Sequence, residues 1–210
     1  MRLRITFAKQ GALRYTGQID LHRIWERSAR RSDLPLAYSR GFHPQPKIQL
    51  AAALPLGFSS RCEVVDLRLE RDIPLDGLIE RLQSAVPPGL TILSVEQEDE
   101  SVPALGTLIE SAEYEVTLLG KVSLADLRAK IGDLQAAASL LRERREKRYD
   151  LRPLIENLDI SPLDPQVIRM RLAAREGATG RPDEILAELG IPLEDARVER
   201  TRLIIRESQP

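Results

Sequence analysis

Two stretches of the chain echo each other, IPLDGLIERL at residues 73–82 and RPDEILAEL at residues 181–189. Each places a proline near the start of a short run with helical periodicity, a position that proline favours. Each run also lies between segments that alternate apolar and polar residues, the pattern of a strand with one buried face. The repetition predicts that one arrangement of strands and helices occurs twice within the 210 residues.

The first half predicts the order strand, helix, strand, strand, helix, strand. Leu3, Ile5 and Phe7 alternate with polar residues, which indicates a strand with one buried and one solvent-facing side. A helix capped by Thr16 or Asp20 follows. The other predicted elements are two extended pieces within residues 36–54, strands over 63–70 and 90–95, and a second helix over 74–82.

The same order recurs beyond an acidic stretch, which we interpret as a linker over residues 99–109. The predicted elements are strands over 113–118, 166–172 and 196–206, helices after 123 and over 182–189, and an ambiguous segment over 138–150. We therefore predict an α+β fold of two tandem ferredoxin-like (split βαβ) units, residues 1–98 and 110–210. Each would be an antiparallel sheet covered by helices on one face.

Charge and aromatic residues are concentrated at one end of the chain. The formal net charge is −1, which taken alone argues against nucleic-acid and membrane-surface partners. Residues 1–61, however, contain 11 of the 31 basic residues and only 3 of the 32 acidic ones. Six of the eight aromatic residues also lie within the first 58 positions. A cationic and aromatic segment of this kind is what phosphate contacts and base stacking require.

Composition also restricts the possible cofactors. Cys62 is the only cysteine and His22 and His43 are the only histidines, so we expect no metal site and no cofactor. The most apolar window, residues 50–58, is interrupted by a proline and a glycine. We expect a cytoplasmic protein without a signal peptide or a membrane segment.

Four arginines form one stripe on the first predicted helix: Arg23, Arg27, Arg30 and Arg31. Glu26 is the only acid between residues 21 and 31, so these side chains are expected to have few local partners. An anionic ligand would relieve their mutual repulsion. The alternative interpretation is an ordinary solvated helix face.

The second candidate is the loop at residues 39–47, which Pro44 and Pro46 stiffen. It offers cations for phosphate contacts and an aromatic surface for stacking. Alternatively, it is a hairpin turn whose phenylalanine packs into the core. Taken together, helix and loop predict a nucleic-acid-binding site formed by Arg14, Arg23, Arg27, Arg30, Arg31, Arg40, Phe42, His43 and Lys47.

A catalytic alternative is metal-free cleavage of a phosphodiester by Tyr15, His22, His43 and Lys47. No spacing in the sequence fixes these groups around one bond. The chain also has no glycine-rich nucleotide loop and no nucleophile elbow. We therefore expect a binding module with no catalytic residues of its own.

Several motifs resemble a bacterial family known as radical SAM-linked proteins. They are FAKQGALRY at residues 7–15, GQIDL at 17–21, YSRGFHPQPK at 38–47 and ALPLG at 53–57, with weaker matches at 149–153 and 181–184. That family is a domain of unknown function, found fused to the carboxyl end of a radical SAM protein or as a separate chain. Gln18 and Gln45 depart from its usual pattern, in which a histidine and a basic residue are common at these positions.

The resemblance implies an accessory protein for a radical SAM enzyme rather than the enzyme itself. A single cysteine agrees with this, because three are needed to hold a radical SAM cluster. Our leading hypothesis is a non-catalytic module that binds structured RNA and works with a radical SAM partner. The alternatives are a scaffold that docks directly on that partner and, third, the metal-free ribonuclease.

Overall fold

The computed structural model describes residues 1–144 and 146–206. It has a mixed α+β fold, and the chain divides into two compact units. The first comprises residues 1–109 together with Arg206, and the second comprises residues 110–205. No helix within the described residues is long and apolar enough to cross a membrane.

The first unit consists of four main strands and two main helices. In chain order they are β1 (Arg2–Lys9), α1 (Gln18–Arg31), β2 (Ile48–Leu50), β3 (Ser59–Arg68), α2 (Leu78–Ala85) and β4 (Leu90–Glu98), followed by the short α3 (Leu105–Leu108). The strands lie in the order β4-β1-β3-β2, and every neighbouring pair is antiparallel. The expected order of elements in this half is therefore confirmed.

One face of this sheet forms the core beneath the helices. Leu3, Ile5 and Phe7 are fully buried, as the alternation in β1 predicted. Phe7 meets Trp25 of α1 edge to face, with ring centroids 4.9 Å apart. The predicted cap of α1 was wrong: Gly17 occupies the N-cap position, with extended backbone and no side-chain hydrogen bond.

The opposite face of β1 and β3 is not solvent-facing, contrary to the expectation from alternation. Arg2 and Asp66 are both buried, and Arg2 Nε donates to Asp66 Oδ2 at 2.8 Å. Arg4 Nε donates to the other carboxylate oxygen at 2.9 Å. The polar residues of these strands are thus paired with each other across the sheet, which is how proteins tolerate buried charge.

The segment after β4 covers this polar face. Arg2 donates from its two terminal nitrogens to the carbonyls of Val102, at 2.6 Å, and Pro103, at 3.0 Å. Gln49 of β2 accepts from the backbone N–H of Leu105 at 3.1 Å. Residues 99–109, which we expected to link the two units, therefore belong to the first unit and pack on its sheet.

The second unit has a similar order of main elements. They are β5 (Ile109–Leu118), α4 (Leu124–Ala136), β6 (Leu141–Arg144), β7 (Lys147–Asp150), β8 (Ile155–Ile160), β9 (Val167–Arg175), β10 (Ala178–Thr179), α5 (Pro182–Leu189) and β11 (Ala196–Ile205). Four of these strands form a sheet in the order β11-β5-β9-β8, with β10 added to β9. Strands β6 and β7 form a separate hairpin between α4 and β8.

This hairpin occupies the segment that the sequence left ambiguous, and it contacts α5. Arg142 of β6 forms an ion pair with Glu188. Tyr149 of β7 hydrogen-bonds Glu184, and burial together with this bond raises the pKa of Tyr149 to about 12. The phenol therefore remains protonated at neutral pH, and the contact is a structural one.

Strand β8 was missed by the sequence prediction for a local reason. Its pairing with β9 shifts register between Ile155 and Asn157, so one extra residue interrupts the ladder. The buried side chains Ile155 and Leu158 are consequently three residues apart instead of two or four. An irregular strand of this kind does not show the alternation by which strands are recognised.

The buried ion pair predicts a large effect of removing one partner. Asp66→Ala leaves Arg2 buried without its carboxylate, and we expect a loss of about 3–5 kcal/mol in the free energy of unfolding. Trp25, the only tryptophan, lies in the core of this unit, so its fluorescence during urea unfolding reports the change. The exposed Asp76→Ala variant is the control. Equal stability of the two variants would contradict the assignment.

A second prediction concerns the close approach of two backbone segments. Gly89 has φ +91°, and a Cβ there would lie 2.6 Å from the carbonyl oxygen of Gln10. Gly77 has a similar φ of +68° but open space around its Cα. Both Gly→Ala substitutions cost about 1–2 kcal/mol in left-handed strain. We expect Gly89→Ala to lower the urea midpoint clearly further than Gly77→Ala; matching midpoints would refute the contact.

Candidate nucleic-acid interface

Helix α1 presents its arginines outward because its apolar residues point into the core. Leu21, Trp25 and Ala29 are buried against the sheet. Helical spacing then directs the residues of the opposite side to solvent. All four predicted arginines are exposed: Arg23, Arg27, Arg30 and Arg31.

Three of the four arginines have partners, which the sequence did not lead us to expect. Arg23 Nη1 lies 3.2 Å from Asp20 Oδ1, and Arg30 Nη2 lies 2.7 Å from Glu26 Oε1. Arg31 donates to a backbone carbonyl of α2 at 3.3 Å. Within the described part of the chain, Arg27 has no hydrogen bond or ion pair. Because exposed ion pairs contribute only about 0–1 kcal/mol, a phosphate can replace these carboxylates at low cost.

The end of α1 is tied to the beginning of the loop. Arg30 donates to the hydroxyl of Tyr38 from Nη2 at 3.1 Å and from Nε at 3.3 Å. These hydrogen bonds, with the charge of Glu26, raise the pKa of Arg30. Tyr38 itself forms a β-bridge with Pro46, which closes the loop. The arginine stripe and the loop are therefore neighbours in the folded chain.

The loop is closed by hydrogen bonds and projects its aromatic residue. Ser39 donates its N–H to the carbonyl of Gln45 at 2.8 Å, and its hydroxyl accepts the N–H of Gln45 at 2.9 Å. Phe42, at the tip, is fully exposed, so the alternative in which it packs into the core is wrong. Its neighbours Arg40 and His43 are exposed as well.

Lys47 is the one predicted binding residue that belongs to a different surface. Its backbone pairs with that of Arg68, at the edge of β3. Its side chain lies with that of Gln49 on the sheet face opposite α1, because the two alternate with Ile48 along the strand. There it lines a cavity of about 180 Å³ with Arg2, Ile48, Gln49, Asp66 and Arg68.

The 3₁₀ turn before α1 contributes a residue that our list of binding residues lacked. The ring of Tyr15 is 64% exposed, and the guanidinium of Arg14 lies 4.8 Å from its centroid. Within the described residues, Nε of Arg14 is buried and has no hydrogen-bond partner. An arginine beside a tyrosine was the available sequence signal, but a 3₁₀ turn has no periodicity that shows which way its side chains point.

The structure separates Lys47 from the other groups considered for catalysis. His22 is half-buried on α1, whereas His43 is exposed on the loop. Lys47 lies on the other face of the sheet. In the segments 1–144 and 146–206, no group of three or more histidine, cysteine or acidic side chains could hold a metal ion.

Comparison with curated proteins found no match. Among solved structures, the chain is similar to a chain of a Cbf5-Nop10-Gar1 complex, with 12% identity and a TM-score of 0.48 over 98% of this chain and 50% of that one. It is also similar to a chain of the archaeal box H/ACA sRNP Nop10-Cbf5 complex, with 15% identity and a TM-score of 0.45 over 98% and 49%. The chain thus spans about half the length of these proteins.

A family model described as "uncharacterized protein conserved in bacteria (DUF2344)" matches residues 2–182. The match covers most of the 210 residues and extends over the first unit and most of the second. The chain belongs to this bacterial family.

Proposed function

We propose that the first unit binds nucleic acid, above all structured RNA, and that the chain is a non-catalytic module. The binding surface is the outward side of α1 with the adjoining loop, called here the basic face: Arg23, Arg27, Arg30, Arg31, Arg40, Phe42 and His43. The observation that carries the proposal is the contact between Arg30 and Tyr38, because it joins the arginine stripe to a loop with an exposed aromatic tip.

Two cations of the basic face are available without rearrangement. Arg27 and Arg40 form no ion pair or hydrogen bond with the described residues, so a phosphate can meet them directly. Arg23 and Arg30 first exchange an exposed carboxylate for the phosphate. Arg14, at the start of α1, flanks the basic face, whereas Lys47 lies on the opposite sheet face and is not part of this surface. Such contacts make the affinity fall with salt. In a plot of the logarithm of the binding constant against the logarithm of the salt concentration, each phosphate contact contributes a slope of about −0.9.

The proposal extends to the fold of both units as ferredoxin-like, split βαβ arrangements. The strand orders β4-β1-β3-β2 and β11-β5-β9-β8 support it. In each sheet, the two strands that one helix connects are separated by a strand of the other connected pair, as in the split βαβ motif. In the second unit, the hairpin β6–β7 is then an insertion between the first helix and the second strand of the motif. We propose residues 1–98 and 110–210 as the two domains, with 99–109 as a connection that packs on the sheet of the first.

Partnership with a radical SAM enzyme is part of the same proposal and rests on sequence resemblance alone. The stretches at residues 7–15, 17–21 and 38–47 carry that resemblance. In this scheme the chain presents RNA to the enzyme and supplies no iron–sulfur ligands, because Cys62 is its only cysteine.

The second candidate is a protein-docking scaffold, which exposed apolar side chains near the start of α1 favour. Ile19 is 72% exposed and Leu56 is 61% exposed, and Gly17 lies close to the Leu56 side chain. Apolar groups in solvent contribute to a protein interface more readily than to a phosphate contact. This surface adjoins the basic face, so RNA and a protein partner have to be separated by experiment.

Charge reversal on the basic face tests the leading proposal. We expect the double variant Arg27→Glu, Arg40→Glu to weaken binding of bulk cellular RNA and to lower the log–log salt slope by about 2, since about two phosphate contacts are lost. Fluorescence titration between low and moderate salt measures both quantities. Arg128→Glu, an exposed arginine of α4, is the matched control. Absence of binding at low salt, or binding indifferent to salt and to the double variant, refutes the proposal.

A pull-down of the tagged chain from its native host distinguishes the two candidates. If RNA binding is the function, RNA stays bound after protein partners are removed by antibody depletion at low salt. If docking is the function, a stoichiometric protein complex survives nuclease and is lost in Ile19→Ser, Leu56→Ser. The Leu163→Ser variant, exposed in the second unit, controls for a general loss of apolar surface.

A further inference from the structure

We propose that the basic face selects RNA with unpaired bases, which stack on one aromatic ring at each end of α1. Phe42 would hold one base and Tyr15 the other, with the arginines of α1 contacting the phosphates between them. This inference rests on the proposed nucleic-acid function and names the class of RNA that the surface takes.

Phe42 meets the requirements of a stacking residue at the carboxyl end of α1. Three other aromatic residues of the same segment are fully buried: Phe7, Trp25 and Phe58. Of the three phenylalanines, Phe42 alone is exposed, although burial of such a side chain would stabilise the fold by about 1.5–3 kcal/mol. The two Ser39–Gln45 hydrogen bonds close the base of the loop, so part of its conformational freedom is already lost before a ligand binds.

Tyr15 provides a second platform at the amino end of α1. Arg14 lies over its ring at 4.8 Å, which supports the ring and leaves most of it exposed. The turn is fixed by hydrogen bonds from Thr16 N–H to the Leu13 carbonyl and from Gly57 N–H to the Arg14 carbonyl, both 2.9 Å. Both rings therefore lie in segments that hydrogen bonds close, and each has an arginine nearby in the chain, Arg14 for Tyr15 and Arg40 for Phe42.

The need for exposed base faces excludes a continuous duplex as the preferred ligand. A helix of 14 residues is about 21 Å long, which corresponds to about six nucleotides of a stacked strand. Within a duplex every base is already stacked on its neighbours and its faces are inaccessible. Aromatic side chains in RNA recognition stack instead on bases in loops, bulges and single strands. The ligand class is thus an RNA segment with two unpaired nucleotides, whose spacing is on the order of the length of α1.

The test compares one sequence as a single strand of about ten nucleotides with the same sequence in a blunt duplex. We expect Phe42→Ala and Tyr15→Ala each to weaken binding of the single strand by about five- to 150-fold and to leave duplex binding and the salt slope unchanged. Phe42→Tyr and Tyr15→Phe keep the rings and should bind like the original chain. Leu163→Ala, which is 87% exposed in the second unit, is the matched control.

The possible outcomes separate this inference from the proposed function. If both alanine variants bind the single strand normally, or lose single strand and duplex equally, base stacking is refuted; salt-dependent binding that Arg27→Glu, Arg40→Glu removes would still support nucleic-acid binding. If the variants lose a protein partner but no RNA, the rings are docking residues and the inference is also wrong. A urea unfolding curve, followed by Trp25 fluorescence, that matches the curve of the original chain confirms that each variant is folded.

Discussion

The ion pair between Arg2 and Asp66 is the constraint on which the rest of the first unit depends. A buried guanidinium is stable only when its donors are satisfied, and the carboxylate alone does not satisfy them. The carbonyls of Val102 and Pro103 supply the remaining acceptors, so the chain after β4 has to return across the sheet. That return covers one face, which leaves α1 and α2 to cover the other and directs the arginines of α1 to solvent.

The sequence could predict which residues share a face but not what covers that face. Alternation correctly placed Arg2 and Arg4 on one face of β1. Pro182 correctly predicted the start of α5. Burial of Arg2 depends on a segment about 100 residues away, which no local pattern shows. Strand β8 was missed for the opposite reason: a local irregularity at its start removed the periodicity, although its pairing with β9 is regular from Asn157 to Ile160.

The candidate site was predicted in composition more accurately than in geometry. The exposed arginines of α1 follow from helical spacing, whereas the position of Lys47 depends on the register of β2 against β3, in which Gln49 faces Asp66. That register turns Lys47 to the other side of the sheet. The contact between Arg30 and Tyr38 involves a helix end and a loop, and Tyr15 lies in a turn without periodicity. Long-range pairing, rather than residue type, decides these positions.

The charge of the first 61 residues overstates the charge of the basic face. Arg2 and Lys9 are buried and Arg4 is paired with Asp66 and Glu98, so these three cations belong to the sheet. The remaining surface is partly neutralised by its own carboxylates, which contribute little to stability and are readily exchanged for phosphates. Electrostatics of this kind attracts any polyanion. Under the proposed RNA-binding function, selection among RNAs therefore has to come from the uncharged part of the surface, which is where the exposed rings lie.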